Sequence, residues 1–174
     1  IYINYNGYGA SVDDLHFHPA QLYQALLTYP DPFSLSNEQG SLFWQLKQAY
    51  EADMTKAQSA KVISETSSVK AVQLADEPWA RRVSGVFGNE LANQAPDRAH
   101  IVLTLNKTAF NKAELNKETL NKTTLNKNDN SAEASYTVSL RAPLNNKQGA
   151  GDICAQFATG GGRSAAAGVN ALPV

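Results

Sequence analysis

The sequence predicts an α/β fold: a small mixed β-sheet with flanking helices, preceded by a helical linker. Three observations carry this reading. Residues 69–74 and 99–105 are rich in β-branched and apolar residues, and Trp79, Val83, Val86, Phe87 and Leu91 recur between them at helical spacing. Residues 136–141 alternate apolar and polar, as a half-buried strand does. Leu42, Phe43, Leu46, Ala49, Tyr50, Met54 and Ala57 form one apolar stripe along a helix.

Taken in order, residues 1–15 are aromatic and glycine-punctuated, without a clear period. Pro19 suits the first turn of a helix, where its missing N–H costs nothing, and Leu22, Ala25, Leu26 and Tyr29 follow at helical spacing. Pro30 and Pro32 must break that helix. Ser36 followed by Gln39 has the spacing of a capping box, which starts a helix running to about residue 61. With one apolar face, that helix must lie on something, and we read it as a connector between two lobes. A helix over 78–94 opens on Pro78; Gly85 and Gly88 each weaken it by ~1 kcal/mol, which close packing against a sheet would explain.

Between the strands at 99–105 and 136–141 lies a five-residue repeat. Leu105, Phe110, Leu115, Leu120 and Leu125 are each followed by Asn-Lys. The period fits neither a helix nor a strand face. One reading is a square coil of pentapeptide repeats, but so few units bury little core and Glu118 occupies a position that should be small. The other reading, which we favour, is a hairpin loop over 106–130 lengthened by a reduplicated polar unit, since closure entropy grows only logarithmically with loop length.

The chain has 174 residues, 43% of them hydrophobic and 18% charged, enough for one good core or two small ones. No stretch approaches the ~20 apolar residues of a membrane span, and no signal segment opens the chain. It begins without Met and its one methionine is Met54, so a processed or partial product is expected. Net charge is −1, but residues 1–60 carry −4 and residues 106–174 carry +3, so an anionic ligand belongs with the second half. Cys154 is the single cysteine, which excludes an internal disulfide or a cysteine-rich zinc site and suggests a reducing, cytoplasmic setting.

The segment from Tyr136 onward concentrates the chemistry. A strand ends in Ser139-Leu140-Arg141, and Asp152 is placed to cap a short helix holding Ile153 and Phe157. Gly160-Gly161-Gly162 then leads into Arg163-Ser164 and a run of alanines, which we read as a helix closing at Gly168. Glycines before a helix N-terminus turn backbone N–H groups toward one point, and Arg141 and Arg163 would add forked contacts to a phosphate. Arg141, Gly160, Gly161, Gly162, Arg163 and Ser164 are therefore the candidate binding residues.

This arrangement resembles the substrate-binding domain that accompanies DHH-type phosphoesterases. There a strand with Ser-x-Arg precedes a capped helix and a Gly-Gly-Gly-His-x-x-Ala-Ala-Gly motif, matched here over 136–170 and more loosely over 61–105. The resemblance implies that residues 1–35 are the tail of the DHH lobe, 36–61 a linker helix, and 62–174 the associated domain. It implies a parent enzyme that hydrolyses phosphodiesters or phosphoanhydrides of short nucleic acids, nucleotides or polyphosphate with Mn or Mg. The expected partners are such a ligand, the DHH lobe, and a second copy of the chain drawn in by apolar surface that lobe would cover. The family's histidine is Arg163 here, which keeps phosphate affinity but cannot shuttle a proton near neutral pH. The repeat is a second departure.

Such chemistry needs clustered Asp and His, and the sequence has no Asp-His-His or Asp-x-Asp. Asp13-Asp14-Leu15-His16-Phe17-His18 is the one local cluster, for which a solvated approach to the helix at Pro19 is the plainer reading. No catalytic or metal-binding residue is assigned, and the chain alone is expected to be inactive. Among smaller candidates, Arg81 and Arg82 read as a solvated helix face, Trp44, Trp79 and Cys154 as core. Tyr2, Tyr5 and Tyr8 read as packing against the linker helix, with base stacking as the alternative. Two other functions compete. Arg82-Val-Ser-Gly85-Val-Phe87 approaches the turn by which acetyltransferases hold coenzyme A, although Phe87 fills a position that should be small. The Asn-Lys repeat could also be displayed by a non-enzymatic interaction module.

Overall fold

The computed structural model describes residues 1–106 and 134–174. Four helices come first: α1 (Tyr2–Tyr5), α2 (Pro19–Leu26), α3 (Pro32–Asn37) and α4 (Leu42–Ala57), with a 3-10 turn at Val12–Asp14. Then follow β1 (Lys61–Glu65), β2 (Val69–Leu74), α5 (Pro78–Gln94), β3 (Ala99–Asn106), β4 (Ser135–Arg141), α6 (Ala150–Cys154), β5 (Gly160–Arg163) and β6 (Ala166–Pro173). The strands make one six-stranded sheet in the order β1-β2-β3-β4-β6-β5. Only β2 and β3 are parallel, joined through α5; every other pair is antiparallel. The protein is thus α/β, with a mixed sheet and helices on both faces.

The two faces carry separate cores. On one, Val72, Leu74 and Val102 of the sheet pack under Val83, Phe87 and Leu91 of α5, with Tyr5, Met54 and Ala57 closing the far side. On the other, Leu140, Ala167 and Val169 pack against Ala150 and Cys154 of α6. The alternation of β3, in which His100, Val102, Thr104 and Asn106 are buried, is what puts alternate residues on the two faces. The stripe read along 42–57 also holds, since Leu46, Met54 and Ala57 are buried. Gly85 and Gly88 face the sheet, but a Cβ at Gly88 would lie at the ordinary contact distance of 3.6–3.7 Å from Arg141, Ser139 and Val102, so close packing does not require glycine there.

Several local expectations are corrected. The helix read from Ser36 is two helices. Asp31 caps α3 by accepting from the backbone N–H groups of Phe33 and Ser34 at 2.8 and 2.9 Å. Ser36 lies inside α3 and turns its hydroxyl back to Phe33 O, so the capping box does not form. Gly40, at φ 77, makes the break, and α4 starts after Ser41. α4 stops at Ala57, short of the predicted end near residue 61, and β1 begins at Lys61. Asp152 sits within α6 rather than capping it, and Cys154, not Ile153 or Phe157, faces the core.

The largest difference lies after the glycines. Residues 163–168 form no helix: β5 and β6 make a hairpin turning at Ser164 and Ala165. Alanine's helix propensity is a weak preference, and the open edge of β4 offers β6 a full set of backbone partners instead. Glycine is required for that pairing. A Cβ on Gly168 would stand 2.6 Å from Val138 O, and one on Gly160 would collide with Cys154 O. The repeat read at 106–130 lies, from residue 107 on, outside the described residues.

Candidate functional site

Sheet register places the two candidate arginines. Arg141 of β4 pairs with Ala166 of β6, and Ala166 pairs with Arg163 of β5. Residues in register on neighbouring strands point to the same face, so both arginines lie in one row on the α5 side of the sheet. The next row along reads Val102, Ser139, Gly168, Gly161. α5 covers this face above β3 and β4; beyond it Ala166, Gly168 and Gly161 form a floor of small residues. A Cβ added to Gly161 would meet nothing within 4 Å. Of the glycine triplet, Gly161 alone faces this floor: a Cβ on Gly160 would meet Cys154 O instead, and Gly162, at φ 144, lies against Ala167. Backbone paired in a strand points successive amides to alternate edges, so they do not converge on a point as a nest before a helix would.

Arg141 is held firmly. Its Nε donates to Asn89 Oδ1 at 2.6 Å, Nη1 to Ser139 Oγ and Leu140 O at 3.0 Å each, and Nη2 to Gly85 O at 2.9 Å. A guanidinium has five N–H donors, so four bonds leave one N–H on Nη2 for a ligand. Arg141 thus offers a single contact, and the forked one falls to Arg163, which is exposed. Burial pushes the Arg141 guanidinium below its ordinary value, and repulsion from Arg163 pushes it the same way, offset in part by Tyr8. Ser164 is exposed at the hairpin turn, its carbonyl accepting from Ala150 N at 3.0 Å.

The charge pairing of the remaining arginines sets this site apart. Arg81 contacts Asp14 and Asp76, Arg82 contacts Asp53, and Arg98 contacts Glu65. Among the described residues, Arg141 and Arg163 alone of the five arginines have no carboxylate partner. Two like charges held in one row, one of them partly buried and neither neutralised, make a local positive potential that an anion would relieve.

Toward the N-terminal end of the α5 stripe that holds Gly85 and Asn89 lies a buried polar cluster that the sequence did not suggest. Asp53 of α4 accepts from the Tyr5 hydroxyl and from Arg82 Nε and Nη2, both at 2.8 Å. Arg82 also donates to the Asp14 carbonyl, and the Asp14 carboxylate receives Arg81 Nε at 2.8 Å. Of the pair read as a solvated face, Arg82 is thus buried and Arg81 partly so, because α4, the 3-10 turn and the loop before α5 bring them Asp53, Asp14 and Asp76. Burial raises the Tyr5 phenol above its ordinary range, and the bond to Asp53 adds to that. Burial and the nearby Arg82 hold His16 below the usual histidine value, against the pull of Asp53. For Asp14, burial alone would raise the carboxyl, but bonds from Arg81 and from the Ala10 and Ser11 backbone outweigh it and hold the group low.

These contacts also divide the one local cluster of potential metal ligands. Asp14 turns to Arg81, the His16 ring bonds Tyr5 at 2.8 Å, and His18 Nδ1 accepts from Ala20 N as the cap of α2. Among the described residues no group of three or more His, Cys, Asp or Glu is placed to hold a metal ion. With Asp14 held by Arg81, His16 by Tyr5 and His18 by the α2 backbone, these side chains are turned to separate partners and do not fit the Mn or Mg that the family resemblance implies.

The segment resembling a coenzyme A turn is also placed differently. Residues 82–87 are the middle of α5, with Arg82 turned into the buried cluster, so no turn exists there to wrap a pyrophosphate. Tyr2 and Tyr5 pack on the α4 rings of Phe43 and Tyr50 as expected, whereas Tyr8 is half exposed. Cys154 is buried and Trp79 packs on the larger core. No helix among the described residues is long and apolar enough to cross a membrane. Two contributors escaped the sequence reading: Asn89, which fixes Arg141, and Asp53, which fixes Arg82. A helical spacing of three and four residues through Arg82, Gly85 and Asn89 was the available signal. No protein-family model matches the chain, and no curated protein matches it.

Proposed function

We propose that this chain is the phosphate- and nucleotide-recognising portion of a phosphoesterase of the DHH type, acting on nucleotides, short nucleic acids or polyphosphate. The observation that carries the reading is the row Arg141, Ala166, Arg163: two guanidinium groups without carboxylate partners, over a floor that only glycine and alanine leave open. Arg141 is pre-oriented by α5, so its remaining N–H is offered without loss of side-chain freedom, and Arg163 supplies the forked contact. The hydrolytic step, with its metal ions, belongs to residues outside this chain, and the chain alone binds without turning over.

Arg163→Ala tests this directly, because the exposed side chain can be removed without disturbing a core. Titration calorimetry with ribose 5-phosphate should show affinity weakened by about 1.5–3 kcal/mol, the range for a charged hydrogen bond. An unchanged affinity would refute the site. The acetyltransferase reading has no turn to rest on, and nothing described favours the interaction module.

A further inference from the structure

Arg141 is gripped in a way that Arg81, Arg82 and Arg98 are not. Those three are each held by at least one carboxylate, from Asp14 and Asp76, from Asp53 and from Glu65. The four acceptors of Arg141 are Asn89 Oδ1 at 2.6 Å, Gly85 O at 2.9 Å, and Ser139 Oγ and Leu140 O at 3.0 Å each, and all four are uncharged. Two of them are backbone carbonyls, and Ser139 is buried between sheet and helix, so three positions leave the fold little choice. Asn89 is different. It is an exposed side chain on α5, and its amide nitrogen has no partner among the described residues. The fold uses its oxygen alone.

An aspartate would serve the fold at this position at least as well. It has the same shape, offers an oxygen at the same place and has a similar helix propensity. An exposed carboxylate keeps most of its hydration, and its bond to Arg141 Nε would be charge-assisted and therefore stronger than the present one. The one thing an aspartate would remove is the net positive charge of the guanidinium it holds. We infer that Asn89 is a positioning residue whose neutrality is functional: it fixes the Arg141 side chain and leaves its charge uncancelled for the anionic ligand. This inference rests on the anion-site reading given above and deepens it, by naming the side chain that sets the charge of that site.

Four proteins separate the two claims: the parent chain, Asn89→Asp, Asn89→Ala and Asn93→Asp. The last adds the same charge one turn further along α5, on an exposed residue that makes no hydrogen bond to Arg141. Each is titrated with ribose 5-phosphate by calorimetry and unfolded in urea. Asn89→Asp should keep or raise the urea midpoint and yet bind at least about tenfold more weakly, the equivalent of one charged hydrogen bond. Loss of fold and loss of binding would move together if Asn89 were only a support, so the opposite signs are the signature. Asn89→Ala should lower the midpoint slightly and weaken binding less than Asn89→Asp, because Arg141 keeps its charge and loses only its orientation. Asn93→Asp should bind within about twofold of the parent, since exposed charges near a Debye length apart are largely screened. Parental affinity in either Asn89 variant would overturn the inference and leave the anion site standing. So would an equal loss in Asn93→Asp, which would make the effect one of overall charge, or a fallen midpoint in Asn89→Asp. Failure of the parent to bind ribose 5-phosphate would overturn the anion site and the inference with it.

Discussion

Asp53→Ala probes how the N-terminal segment is fastened. The Asp53 side chain is 4% exposed and that of Arg82 8%, and they meet through two contacts of 2.8 Å with the Tyr5 hydroxyl as a third partner. Removing the carboxylate leaves a buried guanidinium with no counter-charge, since Asp14 offers Arg82 only its carbonyl. Breaking a buried pair from one side costs about 3–5 kcal/mol, far more than the near-zero net worth of an exposed pair. For a chain of this size that is a fall of roughly 6–20 °C in Tm at about 2–4 °C per kcal/mol. Urea denaturation followed by circular dichroism should show the midpoint fall with an unchanged slope. The double variant Asp53→Leu with Arg82→Met, which removes both charges and restores apolar volume, should recover most of the loss. A loss below about 1 kcal/mol for Asp53→Ala would refute the claim that this cluster is sealed from water.

Adjacent glycines should respond very differently. Gly160→Ala drives its Cβ into Cys154 O and should cost roughly 2–4 kcal/mol by overpacking, whereas Gly161→Ala enters open space and should cost under about 1 kcal/mol while narrowing the floor of the anion site; paired urea titrations read this contrast. Acid should weaken the fold in two stages. His16 has a folded-state value below its unfolded one, so the unfolded chain binds more protons and stability falls as pH drops below about 6.5; His16→Gln should flatten that first stage. Asp14 is likewise held low, which gives stability present above its unfolded value near 4 and lost as pH falls through the folded value; Asp14→Asn should remove this second stage in thermal melts from pH 5 to pH 2.

Much of the fold was legible because local and tertiary preferences agreed. The helix read over 78–94 is α5, Pro78–Gln94, where Pro78 opens the helix and the apolar spacing matches the face that packs on the sheet. The strand read at 69–74 is β2, and that at 99–105 is β3 less its last residue. Agreement ended where backbone pairing, which leaves little mark on side-chain pattern, decided the outcome. The alanines at 165–167 suggest a helix, yet Ala165 lies in the hairpin turn and Ala166 and Ala167 open β6, which pairs with β4 on one side and β5 on the other. β1 is exposed at every position, so no apolar alternation announces it. At the site, the sequence grouped Arg141 with Arg163, which the register sets in one row with Ala166 between them, but it misjudged the backbone of the glycines before Arg163. Arg81 and Arg82 looked like surface charges because their partners, Asp14, Asp53 and Asp76, lie from 5 to 67 residues away in sequence.

The stripe along α5 has a mechanical consequence. A helix is stiff along its axis, so Arg82 and Asn89, about two turns apart, move as points on one rod. Twisting that rod by a fraction of a turn would carry off the acceptors of Arg141 and the tether of Tyr5 together, while a slide along the axis would preserve their spacing. The grip on Arg141 and the fastening of Tyr5 are thereby geared to a single rotation, and whatever grips the outer surface of α5 has purchase on both.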